Sequence, residues 1–274
     1  MTIKIIDCFI FYNELELLTY RINILNDVVD YFVIVESTHT FIGKEKKLYF
    51  DENKNLFEKF KKKIIHIIVD DFPYKYPNIN FNKKEQWQNE YFQRNAISRG
   101  IDRINHINNL NDNDLIIISD TDEIPDPRTL SNIKNGNINV DIGSFEMDLY
   151  YYNLNTKFDN KWYACKIISY KKYKEPNITC QEIRKNNRGI KHIPNGGWHL
   201  SYFGDANFIK NKINNFSHQE LNNDNYTNLS KIEKRVREPA DLFDRKSNGI
   251  KKIELKDNKY LPVEYDKYLA KYII

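Results

Sequence analysis

Leu115-Ile-Ile-Ile-Ser-Asp-Thr-Asp-Glu-Ile-Pro125 is the stretch that decides the fold. Its short aliphatic run reads as a buried strand, and the strand runs straight into two carboxylates, Asp120 and Asp122, one residue apart. Outward from it the same alternation recurs. Upstream, residues 3–11 read as a strand and 14–25 as a helix, with Leu15, Leu18, Ile22 and Leu25 at helical spacing. Residues 31–35 form a second strand ending at Glu36, 64–69 a third, and 86–107 a long helix. Downstream, Pro127 opens a short helix over 127–134. Strands alternating with helices predict the α/β class: a Rossmann-like, mostly parallel sheet flanked by helices. Ligands bind such sheets outside the carboxyl ends of the strands, and Glu36 and Asp120 both fall there, on one rim.

Beyond residue 139 the pattern changes. Residues 140–153 read as extended, 162–173 as a strand or hairpin, and 196–204 as a glycine-flanked aromatic strand or loop. Helices are expected at 205–216 and 227–237. No repeat, low-complexity tract or linker divides the chain. The expected organisation is one compact unit with a soft boundary, residues 1–138 binding a nucleotide and 139–274 the other substrate.

Composition narrows the classes. Of 274 residues, 41% are hydrophobic and 29% charged, as in a soluble globular chain. The net charge of +4 is spread without a basic stripe, which argues against nucleic acid as a partner. Cys8, Cys165 and Cys180 are far apart and odd in number, so neither a disulfide framework nor a metal knuckle is expected. The N-terminal stretch 1–11 is interrupted by Lys4 and Asp7, unlike a signal peptide, and no window of about 20 apolar residues exists. A cytoplasmic chain without a transmembrane anchor is the expectation.

Two carboxylates at the lip of a strand suit a hard divalent cation, which takes oxygen ligands and keeps places for water and substrate phosphates. Asp120 and Asp122 are therefore candidate ligands of Mn2+ or Mg2+, although turn chemistry alone also places Asp at strand ends. His199, between Trp198 and Leu200 and beside Gly196 and Gly197, is a candidate third ligand. Trp198 and Tyr202 offer faces for a sugar ring or for the core. Arg94 and Arg99 on the long helix are candidate phosphate partners. A general base for an acceptor hydroxyl is sought among Glu146, Asp148, Asp205, His218 and Glu220, with Asp148 and Glu220 placed first.

Three blocks together resemble glycosyltransferase family 17, the β-1,4-mannosyl-glycoprotein N-acetylglucosaminyltransferases and their bacterial and viral relatives. The first runs from Asn13-Glu14 through Arg21 and Leu25 to 27–37, then Thr40-Phe41 and Gly43; the second is 120–125; the third is 197–201. The resemblance implies an A-type glycosyltransferase fold, Mn2+, and inverting transfer from UDP-N-acetylglucosamine to a glycan acceptor in β linkage. It places Asp120 and Asp122 on the family's acidic metal motif, Glu36 at its second-strand end, and His199 in its Gly-Trp-His block. On this reading Glu36 and Ser37 hold the nucleoside. Arg94, Asp120 and Trp198 complete the donor site, and Asp120, Asp122 and His199 hold the metal. Animal members carry an N-terminal anchor and stem that this sequence does not show, so the expectation is a compact microbial or viral member acting on another glycan. The competing readings are a phosphatase or glycosidase built on the Asp pair, or a non-catalytic glycan-binding module.

Overall fold

Alternation along the central strands sets the architecture. In Ile5–Phe11 (β1) every residue is buried, and the side chains divide between two cores. Ile5, Phe9 and Phe11 enter one apolar cluster, and Ile6, Cys8 and Ile10 enter the other. Tyr31–Ser37 (β2) divides the same way, with Phe32 and Ile34 on the first side and Val33 and Val35 on the second. A strand buried on both faces must be covered by helices on both, and a parallel sheet results. Helix α1 (Leu15–Leu25) covers the first face.

The computed structural model describes residues 3–245 and 249–274. Met1 and Thr2 of the apolar N-terminal stretch lie outside the described residues. After β2 come α2 (Tyr49–Asn53), β3 (Ile64–Val69), α3 (Glu85–Asn95) and α4 (Ile97–Asn108). β4 (Leu115–Asp120) and β5 (Glu123–Pro125) flank the Asp pair, and α5 (Pro127–Lys134) follows. Asp126 caps α5 by accepting the Arg128 N–H, so Pro127 occupies the first turn where no donor is needed. The second half contributes β6 (Ile142–Tyr151), β7 (Thr156–Trp162), β8 (Lys166–Ser169), α6 (Tyr170–Tyr173), α7 (Cys180–Lys185), β9 (Lys191–Ser201), α8 (Ala206–Asn215) and further short elements, including a helix at Leu229–Arg237.

Among the described residues one ten-stranded sheet runs through the chain. β3-β2-β1-β4 is parallel, as the sequence predicts, and β1 lies between β2 and β4. β8 then joins β4 antiparallel and carries the sheet into β6, which pairs antiparallel with β7 and parallel with β9. The expected long helix over 86–107 is instead two helices meeting at Ala96, whose ψ of −8° departs from α geometry. Beyond the break, a Cβ on Gly100 would stand 2.3 Å from Val33 Cγ1, so α4 is pressed onto β2. The stretch 162–173 is also divided, into the end of β7, all of β8 and α6. Among the described residues no helix is long and apolar enough to cross a membrane.

Candidate active site

The Asp pair sits in a loop that is fastened from below. Arg21 of α1 is fully buried and holds Asp7 of β1 through two nitrogens, at 2.8 and 2.5 Å. Its remaining donors reach the backbone carbonyls of Asp120 (2.8 Å), Thr121 (3.2 Å) and Glu123 (2.9 Å). Thr121 adds a hydrogen bond from its hydroxyl to the Ile10 carbonyl at 2.7 Å. β5 then pairs with β9 so that Glu123 lies opposite His199, and the Leu200 N–H donates to the Asp122 carbonyl. The register thus brings His199 beside Asp122 from across the chain.

Each carboxylate is matched by cations. Asp120 Oδ1 accepts from Arg94 of α3 and Oδ2 from Arg184 of α7, both at 2.8 Å. Burial raises the Asp120 pKa, but Arg184 and Arg94 outweigh it and hold the group at about 2. Arg184 also grips Glu123, whose Oε2 accepts the Asp120 N–H at 3.1 Å. Asp122 Oδ2 accepts from Lys212 of α8 at 2.8 Å, and its Oδ1 lies 3.5 Å from His199 Nε2. Burial opposes ionisation of Asp122, yet Lys212 and His199 hold it well below the usual carboxylate range. Burial likewise works against the Lys212 ammonium, and Asp122 and Glu14 more than reverse it.

These groups open onto a cavity of about 690 Å3, a size that suits a nucleotide-scale ligand. The ends of β1 and β2, one face of α3, the Asp loop, α7, β9 and α8 all contribute to its walls. Ser37, Arg94, Asp120, Asp122 and His199, all singled out from sequence, line it together.

Four sequence candidates are placed elsewhere, and for three of them the cause is the two-residue period of a strand. Glu36 precedes Ser37 and points the other way. It is fully buried, accepts the Phe50 N–H at 3.0 Å, and bonds His66 Nε2 at 3.1 Å, so it anchors the β2 end and does not face the cavity. Trp198 precedes His199 and is a core residue, its indole N–H donating to the Tyr260 carbonyl at 3.1 Å. Asp148 precedes Leu149, which lines the cavity; Asp148 itself is buried and clamped by Lys157 and Lys161, a poor arrangement for a base. Glu220 is exposed at the rim and accepts from His218 Nδ1 at 2.7 Å, so that His218 is the member of the pair lining the cavity. Of the remaining candidates, Asp205 caps α8 and Glu146 accepts from Tyr163.

The cavity also contains residues that sequence reasoning passed over. Arg184 and Lys212 carry no local mark, although a Thr179–Glu182 capping box announces the helix that holds Arg184. Glu90 accepts from Arg94 at 3.1 Å and from the Ser217 hydroxyl. Glu14 accepts the N–H groups of Tyr12 and Asn13 and stands 3.6 Å from Lys212. Glu14, Glu90, Asp120 and Asp122 are the carboxylates that line the cavity among the described residues.

Asp122 and His199 are the two side chains here that could hold a divalent cation between them. Asp122 and His199 face each other at the wall, and His199 Nδ1 is buried without a hydrogen-bond partner. Among the described residues no three acidic, His or Cys side chains converge. A cation held by this carboxylate and imidazole would take its other ligands from water and phosphate, as Mg2+ and Mn2+ usually do. Asp120, with both oxygens engaged by arginines, stands outside that pair.

Residues 1–255 match the family model described as Glycosyltransferase family 17. The chain is similar to the human and rat β-1,4-mannosyl-glycoprotein 4-β-N-acetylglucosaminyltransferases, 33% identical to each over 115 residues, 41% of this chain. It is 32% identical to the mouse protein over a stretch of the same length. The match spans about 20% of the length of each relative. Among solved structures, a 4-diphosphocytidyl-2C-methyl-D-erythritol synthase aligns with 74% of this chain and 90% of its own, at 12% identity and a TM-score of 0.36. With a family model matched over nearly its whole length, and the acidic loop and its histidine partner in one cavity, the chain belongs to glycosyltransferase family 17.

Proposed function

We propose that this chain transfers N-acetylglucosamine from UDP-N-acetylglucosamine to a glycan acceptor, with inversion and with the help of a divalent cation. The observation that supports this most is the Asp120–Asp122 loop at the carboxyl edge of a parallel sheet, opening into a cavity of about 690 Å3. The roles divide by position. Asp122 and His199 would hold the cation, and the chemistry it supplies there is neutralisation of charge on the departing diphosphate. Arg94, Arg184 and Lys212 place three more cations at the same wall, where an anionic leaving group is oriented and kept from water. Of the other two carboxylates that line the cavity, Glu90 is held by Arg94 and Ser217, which leaves Glu14 to receive the acceptor's proton.

The phosphatase reading needs one aspartate free to attack phosphorus. Asp120 is held by two arginines and Asp122 by a lysine and a histidine, so neither is free in that sense.

The direct test is a thermal-shift panel of UDP-N-acetylglucosamine, UDP-glucose, UDP-galactose and GDP-mannose, each with and without MnCl2. A ligand that binds the folded state alone stabilises it by about 2.7 kcal/mol at one hundred times its dissociation constant. Stabilisation by UDP-N-acetylglucosamine that grows with Mn2+ is the expected result. A folded protein that responds to none of the four does not have this function.

A further inference from the structure

The three tryptophans of the chain are used differently. Trp198 is a core residue, and Trp162 packs against the core and spends its indole N–H on Glu123. Trp87 does neither. Trp87 and Tyr91, one turn apart on α3, both line the cavity, remain partly exposed and enter none of the apolar clusters. Among the described residues neither the Trp87 indole N–H nor the Tyr91 hydroxyl has a hydrogen-bond partner, and neither atom is sealed from solvent. Both rings thus offer apolar surface and an open polar tip to whatever occupies the cavity.

Residues from two other segments complete this part of the wall. His218 lies with its ring 4.5 Å from that of Trp87, at 83° to it, and Trp87 and Tyr91 are 6.2 Å apart. Glu220 accepts from His218 Nδ1, which leaves Nε2 without a protein partner. Lys185 of α7 stands 3.9 Å from the Tyr91 ring centroid and makes no ion pair among the described residues. We infer that Trp87, Tyr91 and His218 form a platform for one sugar of an oligosaccharide acceptor; the inference rests on the transferase reading given above. A pyranose presents C–H bonds on one face and hydroxyls round its edge. The C–H hydrogens meet the negative face of an aromatic ring, and the hydroxyls meet the N–H, O–H and imidazole nitrogen beside it. Position decides which sugar this is. Arg94, which bonds Asp120, follows Trp87 by seven positions on the same cavity-lining face, so about 10 Å of helix axis separate them. The sugar leaving the diphosphate stays at the Asp120 end. The platform lies beyond it by more than the width of a sugar ring and takes a residue of the acceptor that is not itself modified. The acceptor is therefore a chain of more than one sugar.

The test is a glycan array of mono- and oligosaccharides probed with wild type, Trp87→Ala and Trp87→Phe in the presence of UDP and MnCl2. UDP with MnCl2 is titrated calorimetrically into the same three proteins, and their melting curves are recorded. Wild type is expected to retain oligosaccharides and to pass over their component monosaccharides. Trp87→Ala is expected to bind the same oligosaccharides about tenfold more weakly, and Trp87→Phe to recover most of the loss, since a ring remains. UDP affinity is expected to stay within about twofold of wild type in both variants. Because Trp87 belongs to no apolar cluster, Trp87→Ala is expected to melt within about 2 °C of wild type. Saccharide binding that survives in Trp87→Ala overturns the platform, as does a clearly lower melting temperature. So does a wild type that binds UDP yet retains no saccharide, or retains monosaccharides equally well; each leaves the transferase reading in place. Loss of UDP affinity in Trp87→Ala gives the ring to the nucleobase instead and overturns the assignment too. Failure of wild type to bind UDP removes the donor site itself.

Discussion

Asp120 is kept ionised by geometry. Its pKa of about 2 lies below the ordinary value of 3.8 because Arg184 and Arg94 overcome the effect of burial. The folded chain therefore takes up this proton less readily than the unfolded one. The stabilisation is complete above about pH 4, declines as the pH falls, and is gone near pH 2. Asp120→Asn should accordingly cost about 2 kcal/mol at pH 7, measured by urea unfolding, and the gap to wild type should close as the pH approaches 2. A gap that persists at low pH would mean that the two arginines do not hold this carboxylate. The Asp pair is legible in the sequence because a strand and the turn after it are local. Its cations are not, since Arg94, Arg184 and Lys212 arrive from 26, 64 and 90 residues away. The misplaced candidates have an equally simple origin. Glu36, Asp148 and Trp198 each stand one residue from a side chain that does line the cavity, and only the assembled sheet decides which of two neighbours faces it.

At the scale of elements, α1 is more than a cover for the sheet. It supplies Arg21, whose guanidinium reaches the carbonyls of Asp120, Thr121 and Glu123 in the Asp loop while neutralising Asp7. Removing one partner of a fully buried ion pair costs about 3–5 kcal/mol, so Arg21→Met should be severely unstable and uninformative about the site. Arg21→Lys separates the two roles. An ammonium still pairs with Asp7 but lacks the planar fork that reaches several carbonyls at once. The expected outcome is a folded protein whose affinity for UDP with Mn2+ falls about tenfold or more, read by calorimetry. Unchanged affinity would reduce Arg21 to a partner of Asp7. Strong periodicity makes α1, β3 and α5 readable from sequence, almost to their ends. The break at Ala96 is not readable, because apolar positions recur on both sides of it and it leaves no periodic trace.

For the whole molecule, the second half joins the first through β8 on β4 and, beside the cavity, through a tight crossing of β9 over β5. β9 runs parallel to β6 and turns its end onto β5, and Gly197 stands where they meet. Its φ of +134° is a conformation that side chains rarely adopt, and a Cβ there would lie 2.1 Å from the Ile124 carbonyl oxygen. The parallel core is legible from alternating strands and helices, but this crossing pairs segments some 50 to 75 residues apart, and nothing in either segment names its partner. Gly197→Ala must strain the backbone and push β5 and β9 apart, which costs about 3 kcal/mol or more. Because the same pairing sets Glu123 opposite His199, the displacement also takes His199 from Asp122. Gly136→Ala is the matched control: its φ of +78° is also left-handed, but a Cβ there meets nothing within 4 Å, so the cost is about 1 kcal/mol and remote from the cavity. Titrating UDP with and without MnCl2 into both variants, at a temperature where each is folded, separates stability from function. Gly197→Ala should lose the part of the affinity that depends on Mn2+ and keep the rest, while Gly136→Ala should match wild type in both. If Gly197→Ala retains the full Mn2+ dependence, the contact between β5 and β9 does not build the proposed cation site, and the assignment of Asp122 and His199 as its ligands fails.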